Sequence, residues 1–265
     1  GGLGQRGQRW WFKQMVADPG HRPFFSHSYF SITGDKPVAS AFHPVLQGDL
    51  FNGIMGTDIN FDRLQDMVSA YLDSKDLYAI VIDNAGSELV ADLLVAELLL
   101  RSDLASRVTI HAKLYPIFVS DATERDVVES IRQLAARPDA HLRSAGERLH
   151  MEFTAGRFVI AAEPYWVSPL GWRSRPESVE HGLRGSGMVI VKGDANYRRL
   201  VDDRHWEFTT PFATAIGTTP APLLALRTIK SELVTGLSPG QAAATSATDP
   251  EWLQNGRWAT ASYAD

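Results

Sequence analysis

The protein has 265 residues, of which 44% are hydrophobic and 22% charged, and this composition is typical of a globular domain with one sizeable core. Its net charge of −5 and its scattered basic residues argue against nucleic acid or an anionic membrane as a partner. Because the chain contains no cysteine, disulfide frameworks, thiolate metal sites and cysteine nucleophiles are excluded.

The N-terminal sequence and the hydropathy of the whole chain indicate where in the cell the protein is located. No apolar run approaches the roughly 20 residues that a membrane-spanning helix needs, and the first residues lack the apolar core of a signal peptide. We therefore predict a cytoplasmic protein with no membrane partner. The sequence begins at Gly1 and not at methionine, so we expect a processed or truncated chain.

Residues 1–75 differ in character from the rest of the chain. They are rich in glycine, proline, histidine and aromatic residues, and helical periodicity is poor outside residues 9–16. We predict that this stretch is an irregular or helical N-terminal appendage, which ends with a helix at 61–72. The remaining residues, 76–265, are predicted to form one α/β domain.

From residue 77 onward, apolar runs of strand length alternate with segments of helical periodicity. Helices are predicted at 87–100, 123–136 and 177–183, and strands at 77–82, 108–114, 117–119, 158–162, 188–191 and 223–226. Such alternation is typical of βαβ units. It predicts an α/β fold, a three-layer α/β/α sandwich around a mainly parallel, Rossmann-like sheet.

Polar residues follow several of the predicted strands. Asp83 and Asn84 come after the first strand, Asp121 follows the third, and Asp194 comes shortly after the fifth. Because ligands of open α/β sheets bind beyond the carboxyl ends of the strands, we expect these side chains to converge. Carboxylate and amide oxygens, with no cysteine and no histidine pair at ligand spacing, suit a hard divalent cation such as Mg²⁺ or Mn²⁺.

Cationic side chains lie near the same predicted strand ends, namely Lys192, Arg198 and Lys230. They are predicted to face a phosphoryl group that the metal also holds. A metal with fixed positive charges around a phosphoryl group is the general requirement for phosphoryl transfer. The predicted partner is therefore a small phosphorylated molecule.

Each of these residues also has a structural alternative. Asp121 has the position of an N-cap for the helix that follows it, and residues 83–86 and 193–194 have the composition of simple polar turns. Glu88 is a first-turn residue that favours the helix dipole. Lys230, if it lies on a helix, is typical of a solvated charge.

Several segments, in order along the chain, resemble the motifs of a known family. Residues 81–90 are similar to an Asp-Asn-x-Gly-x-Glu-Leu motif, residues 118–123 to Phe-Val-Ser-Asp-x-Thr, and residues 192–200 to Lys-Gly-Asp-x-Asn-Tyr-Arg. Further matches lie at 206–212, 220–222, 227–230, 236–241 and 252–257. Together they resemble the damage-control phosphatase family over residues 76–265. The best match is to its third subfamily, the sugar-phosphate phosphatases that are also described as acidic-residue methyltransferases.

The resemblance implies a role for each matching residue. Asp83, Asn84 and Asp121 match the ligands of a divalent metal, with Mg²⁺ or Mn²⁺ expected and Co²⁺ and Ni²⁺ as further candidates. Glu88 matches an acidic position beside them, which the methyltransferase interpretation links to S-adenosylmethionine. The residues implied to contact the substrate are Gly193, Asp194, Ala195, Asn196, Tyr197 and Lys230, and Asp194 has a further implied role in orienting the reacting groups.

Three functions are compatible with these residues. The first is a metal-dependent phosphatase that hydrolyses sugar phosphates or related small metabolites. The second is a metal-dependent enzyme on the same scaffold that acts on another phosphorylated or diphosphorylated, hydrophobic metabolite. The third, a methyltransferase of protein carboxylates, is disfavoured because the sequence has no Gly-rich adenosyl-binding loop. Two departures from the family are Ser87, which stands where an aromatic residue is usual, and the unmatched first 75 residues.

Overall fold

The computed structural model describes the backbone of residues 24–25, 29–30, 37–47, 50–60 and 76–265, and the side chains of residues 77–265. The chain divides into two compact units, residues 1–73 and residues 74–265. The candidate site residues all lie in the second unit.

The N-terminal unit contains a small antiparallel sheet, although we expected irregular or helical structure there. Its strands are β1 (Phe24–Phe25), β2 (Tyr29–Phe30), β3 (Pro37–Gln47) and β4 (Leu50–Asn60), and β3 pairs with each of the other three. The missed signal is the Gly-Asp pair at positions 48–49, because a two-residue Gly-Asp link between apolar runs favours a hairpin. The helices predicted at 9–16 and 61–72 lie outside the described residues.

The second unit alternates strands and helices. Its strands are β5 (Asp76–Val81), β6 (Ala105–His111), β7 (Phe158–Ala161), β8 (Ser186–Lys192), β9 (Leu223–Thr228) and β10 (Ala259–Ala264). Its helices are α1 (Ser87–Arg101), α2 (Glu124–Ala135), α3 (Ala140–Thr154), α4 (Glu177–Leu183), α5 (Asp194–Leu200), α6 (Phe212–Ile216) and α7 (Gln241–Thr248), with 3₁₀ turns at Pro164–Val167 and Trp172–Ser174.

The six strands of this unit form one sheet in the order β10-β9-β8-β5-β6-β7. All neighbouring strands run parallel except β10, which is antiparallel to β9. In the centre of the sheet Ile80 of β5 lies beside Ile110 of β6 and Ile190 of β8. This architecture confirms the predicted α/β fold with a mainly parallel, Rossmann-like sheet.

Side chains from both faces of the central strands are buried, which is why these strands are almost continuously apolar. Ala79 and Val81 of β5 belong to a core cluster with residues of α4, α5 and α6. Tyr78 and Ile80, which alternate with them, are also buried and point to the opposite face by the two-residue period of a strand. The sheet is therefore the middle layer of the unit.

The strand order reverses between β5 and β8, and this position determines where a ligand can bind. From β5 the chain continues through α1 to β6 on one side, whereas β8 continues through α5 to β9 on the other. The loops that leave the two central strands therefore diverge and open a crevice at their carboxyl ends. Within residues 77–265 no helix is long and apolar enough to cross a membrane.

One local prediction is wrong. Residues 117–119 do not form a strand but lie in the loop between β6 and α2, where Val119 is fully exposed and Phe118 is 61% exposed. A three-residue apolar run has too little periodicity to distinguish a strand from an apolar loop. Lys230 lies in the loop that follows β9 and not on a helix.

His111, the last residue of β6, is a buried histidine whose ring is 5% exposed and lies edge-on to Trp166. Neither ring nitrogen has a hydrogen-bond partner in the described part of the chain. Burial therefore lowers the pKa of His111 from 6.5 to about 4.

We predict that His111→Phe makes the protein less sensitive to acid. Between pH 6.5 and about 4 the unfolded chain binds a proton at His111 and the folded protein does not, so the free energy of unfolding falls as the pH falls. The loss attributable to this residue is between about 2 and 3 kcal/mol from pH 7.5 to pH 4.5. Phenylalanine retains the ring contact and cannot ionise. Urea unfolding of both proteins at the two pH values measures the difference, and an identical pH dependence would contradict a buried neutral imidazole.

Candidate active site

The site is built where β5 and β8 end side by side. Asp83 follows β5 and is 5% exposed. Gly193 follows β8 with φ of 88°, and a Cβ atom at this position would lie 2.0 Å from Oδ2 of Asp83. Only glycine fits such a backbone beside a carboxylate, so the close approach fixes where the side chain of Asp83 lies.

Asn84 lies in a network of polar side chains beside Asp83. Its Nδ2 donates to Oε2 of Glu88 (3.0 Å) and to Oδ2 of Asp83 (3.2 Å), and its Oδ1 accepts from Oγ of Ser120 (2.6 Å). These partners fix the orientation of the amide, because each end of it has a complementary group. Glu88 also lies in the first turn of α1, where its negative charge favours the helix dipole, as expected.

Asp121 is buried to the same extent as Asp83, at 5% exposed. Its Oδ2 accepts from the backbone N–H groups of Ile117 (2.9 Å) and Phe118 (3.1 Å). The alternative that Asp121 caps helix α2 is therefore wrong. The cap is Thr123, whose N–H and hydroxyl both donate to Asp126.

Backbone hydrogen bonds fasten the Asp83 and Asp121 segments together. The N–H of Ala122 donates to the carbonyl of Asp83 (2.8 Å), and the N–H of Ala85 donates to the carbonyl of Ser120 (2.8 Å). Asn84 and Asp121 form an isolated antiparallel bridge between these bonds. The structure thus brings together the three residues that the sequence analysis predicted as metal ligands.

The electrostatics of this cluster favour a cation. Burial raises the pKa of Asp83 from 3.8 to about 6, with the charges of Glu88 and Asp121 adding to the rise and those of Lys113 and Lys230 opposing it. Oδ1 of Asp83 has no hydrogen-bond partner among the residues that the structure describes. A buried carboxylate oxygen without a partner is costly unless a ligand completes it.

The donor set fits a hard divalent cation. Two carboxylates and one amide supply oxygen ligands, which Mg²⁺ and Mn²⁺ prefer. Within residues 77–265 no three histidine, aspartate or glutamate side chains form a preassembled metal cluster. The set is therefore smaller than an all-protein cage, as is usual for Mg²⁺ sites that share the ion with a substrate phosphate.

The residues predicted to contact the substrate after β8 do not form a loop: Gly193 is the N-cap of α5, and residues 194–197 are its first turn. Asp194 and Ala195 are partly exposed, whereas Asn196 and Tyr197 are each 1% exposed. The hydroxyl of Tyr197 is 3.1 Å from Oγ1 of Thr235 and accepts from the N–H of Thr235 (3.2 Å). The side chains of Asn196 and Tyr197 therefore face the protein interior.

Arg227 belongs to the matching segment at 227–230, in which we predicted a role only for Lys230. Its side chain is fully buried, its Nε lies 3.3 Å from Oδ1 of Asp194, and its guanidinium stacks 4.2 Å above the ring of Tyr197. It also donates to the carbonyls of Ser231 and Leu233. Arg227 thereby connects the loop that carries Lys230 to Asp194.

The predicted cations differ in their availability to a ligand. Lys192 is paired with Asp92 at 2.8 Å, and Arg198 is paired with Asp203 at 2.7 Å. Lys230 is exposed, and its charge acts on Asp83. Lys113, which the sequence analysis missed, is buried beside the site. The sequence feature that could have identified it is the presence of a lysine within the predicted buried strand at 108–114.

Comparison with known proteins places the chain in a family. Residues 47–245 match the family model of the damage-control phosphatase ARMT1-like domain, and the chain belongs to this family. It is 39% identical to damage-control phosphatase ARMT1 of Rattus norvegicus over 183 residues, which cover 68% of this chain and 42% of the relative. The ARMT1 protein of Danio rerio is 36% identical over 189 residues, with 70% of this chain and 42% of the relative covered.

The chain thus spans 42% of the length of these curated relatives. Among solved structures, a DUF89 family protein from Pyrococcus horikoshii aligns with a TM-score of 0.37 and 15% sequence identity, over 68% of this chain and 47% of that one. The match to the family model confirms the family that the sequence motifs indicated, but it covers residues 47–245 and so begins within the first 75 residues, which we had expected to be unmatched.

We predict that Gly193→Ala damages the site more than a comparable substitution elsewhere. The added Cβ would overlap the carboxylate of Asp83, so either the loop or Asp83 must move. The expected cost is about 3 kcal/mol of stability or more, together with loss of divalent-cation binding. Both properties are measured by urea unfolding and by calorimetric titration with Mn²⁺.

Gly156→Ala is the matched control. Gly156 also has a positive φ, 73°, but no atom lies within 4 Å of the position that its Cβ would occupy. It should lose about 1 kcal/mol from backbone strain and keep its cation affinity. Equal effects of the two substitutions would show that the contact with Asp83 is unimportant.

Proposed function

We propose that the protein is a divalent-metal-dependent phosphatase that hydrolyses sugar phosphates or related small phosphorylated metabolites in the cytoplasm. The observation that carries the proposal is the buried pair Asp83 and Asp121, at the point where the strand order reverses, with one oxygen of Asp83 left without a partner. The names of the matching family and relatives, damage-control phosphatase, support a phosphatase over a methyltransferase.

Asp83, Asn84 and Asp121 are the residues that would hold the metal. Asp83 offers its unpartnered Oδ1, and Asp121 offers the oxygen that its two backbone donors leave open. A divalent cation bound here would neutralise negative charge on a phosphoryl oxygen and make the phosphorus more electrophilic. Mg²⁺ or Mn²⁺ is the expected ion, and Co²⁺ and Ni²⁺ bind the same oxygen donors.

The protein's own groups would bind and orient the phosphate. The first N–H groups of α5, at Asp194 and Ala195, follow directly after β8 and have no acceptor within the helix. Lys230 adds an exposed positive charge from the loop after β9. Positive charge and N–H donors held in place around the equatorial oxygens stabilise the charge of a phosphoryl-transfer transition state.

Asp194 is suited to orient the group that attacks phosphorus or a hydroxyl of the substrate. Its Oδ1 faces Arg227 (3.3 Å) and Ser231 (3.4 Å), and these contacts leave its other carboxylate oxygen for a ligand. A carboxylate fixed on one side by a buried guanidinium keeps its direction when the substrate binds. Asp194 would therefore accept a proton from a hydroxyl group or a water molecule near the phosphate.

A second substrate class is favoured by one feature of the loop before Asp121. Ile117, Phe118 and Val119 are all largely exposed, at 48%, 61% and 106%. Exposed apolar side chains next to a polar site suit a ligand that is partly apolar. The second candidate is therefore a phosphorylated or diphosphorylated metabolite with a hydrophobic group.

We predict that Asp83→Asn and Asp121→Asn each abolish metal-dependent phosphate release. Each change removes one negative charge from the oxygen donor set, and the expected loss is at least about 100-fold in kcat/KM. The assay is phosphate release from a panel of sugar phosphates and hydrophobic diphosphates, with Mg²⁺, Mn²⁺, Co²⁺, Ni²⁺ or EDTA.

The control for these variants is Asp103→Asn. Asp103 is exposed and has φ of 54°, a conformation that asparagine adopts readily, so this change removes a carboxylate without disturbing the fold. It should retain normal turnover. If either site variant keeps near-normal rates and metal affinity, the metal site is assigned to the wrong residues.

Lys230→Ala is expected to act on substrate binding more than on turnover. The ammonium is exposed and would contact the phosphate both before and during the reaction, so its loss raises KM about tenfold or more with a smaller change in kcat. Steady-state kinetics with the best substrate of the panel measures both constants. Unchanged kinetics would remove Lys230 from the site.

A further inference from the structure

Lys113 is a buried lysine at the end of the strand next to β5. It comes two residues after β6, is 4% exposed, and its backbone N–H donates to the carbonyl of Ala122 (2.9 Å). The same segment pairs through an isolated parallel bridge with Thr123. The backbone of Lys113 is thus fixed beside the segment that carries Asp121.

Asn196 fixes the ammonium group of Lys113. Nζ of Lys113 donates to Oδ1 of Asn196 at 2.7 Å, and it lies 3.5 Å from the carbonyl of Trp166. Nδ2 of Asn196 in turn donates to the carbonyls of Ile82 (3.1 Å) and Lys192 (2.8 Å), where β5 and β8 end. The position of the ammonium is therefore set by the same strand ends that set the position of Asp83.

Both partners of this ammonium are neutral, although the group is buried. Within residues 77–265 Lys113 forms no ion pair with a carboxylate, whereas Lys192, on the neighbouring strand, is paired with Asp92 at 2.8 Å. Burial lowers the pKa of Lys113, and the charges of Asp83 and Asp121 oppose that change. The charge of Lys113 thus interacts with the carboxylate pair through space and not through a direct salt bridge.

We propose that Lys113 lowers the affinity of the site for its divalent cation, because it supplies a fixed positive charge beside Asp83 and Asp121. The inference rests on the proposed metal site. The hydrogen bond to Asn196 holds the ammonium of Lys113 at the end of the sheet where the cation binds. The ammonium therefore cannot move away when the cation enters. The two positive charges therefore repel each other, and the cation binds less tightly than the carboxylates alone would allow.

This arrangement has a chemical use. The charge of Lys113 offsets part of the mutual repulsion of the two carboxylates. It occupies neither of them, since its hydrogen bonds go to Asn196 and Trp166. The carboxylates stay available to the cation, and the cation remains exchangeable.

The test is the affinity of the full chain for Mn²⁺ alone, measured by calorimetric titration at pH 8. Lys113→Met removes the charge and retains the length of the side chain. The expected result is a Kd that is about tenfold lower than that of the unchanged protein. Lys113→Gln, which retains an N–H donor for Asn196, is measured in parallel and decides the question should the methionine variant not fold.

Two further variants define the outcomes. Arg132→Met removes an exposed positive charge from α2, where the arginine is paired with Glu129, and should leave the Kd unchanged. Asp83→Asn should lose Mn²⁺ binding. Tighter binding by the Lys113 variants alone supports the inference, because damage to the fold would weaken binding and not strengthen it.

If the Lys113 variants bind Mn²⁺ no more tightly than the unchanged protein, and Asp83→Asn loses Mn²⁺ binding as expected, the role of Lys113 is overturned. The proposed function then stays in place. Equal tightening by Arg132→Met also overturns it, since the effect would then come from net charge. If the unchanged protein does not bind Mn²⁺, or if Asp83→Asn binds it equally well, the proposed metal site fails and the inference fails with it.

Discussion

Gly193 and Asp83 approach each other so closely that no side chain could stand between them, and the rest of the site depends on this contact. Two parallel strands, β5 and β8, end side by side, and their chains then leave in different directions. The missing Cβ of Gly193 lets the backbone after β8 cover the carboxylate of Asp83. Burial follows, and burial raises the pKa of Asp83 to about 6. The demand for a compensating positive charge is thus a consequence of backbone packing.

The same junction needs polar groups that satisfy the backbone where the strands part. Asn196 does this with one amide, which accepts from Lys113 and donates to the carbonyls at the ends of β5 and β8. Tyr197, the next residue, uses its hydroxyl to hold Thr235 and its ring to support Arg227. A motif that resembles a substrate-binding segment therefore contains two residues, Asn196 and Tyr197, whose side chains are buried and hold the surrounding structure together.

Much of the fold could be predicted from sequence because buried parallel strands are apolar on both faces and leave a clear signal, as at 77–82 and 188–191. The positions of Asp83 and Asp121 after predicted strands likewise indicated one shared edge. Contacts distant in sequence gave no such signal. Lys113, for example, meets Asn196, 83 positions later in the chain.

Two buried aspartates near the junction show why one of them is a ligand candidate and the other is structural. Asp83 and Asp92 are almost equally buried, at 5% and 4% exposed. Asp92 has a lysine in contact, Lys192 at 2.8 Å, so its charge is compensated inside the protein. Asp83 has no ion pair within residues 77–265, and the ammonium of Lys113, whose charge acts on it, donates to a neutral amide and not to a carboxylate. A folded protein retains a buried carboxylate without a direct ion pair at a cost in stability, and such groups concentrate where a ligand completes the charge. The difference between these two aspartates is therefore evidence for a cation at Asp83 that does not depend on sequence similarity.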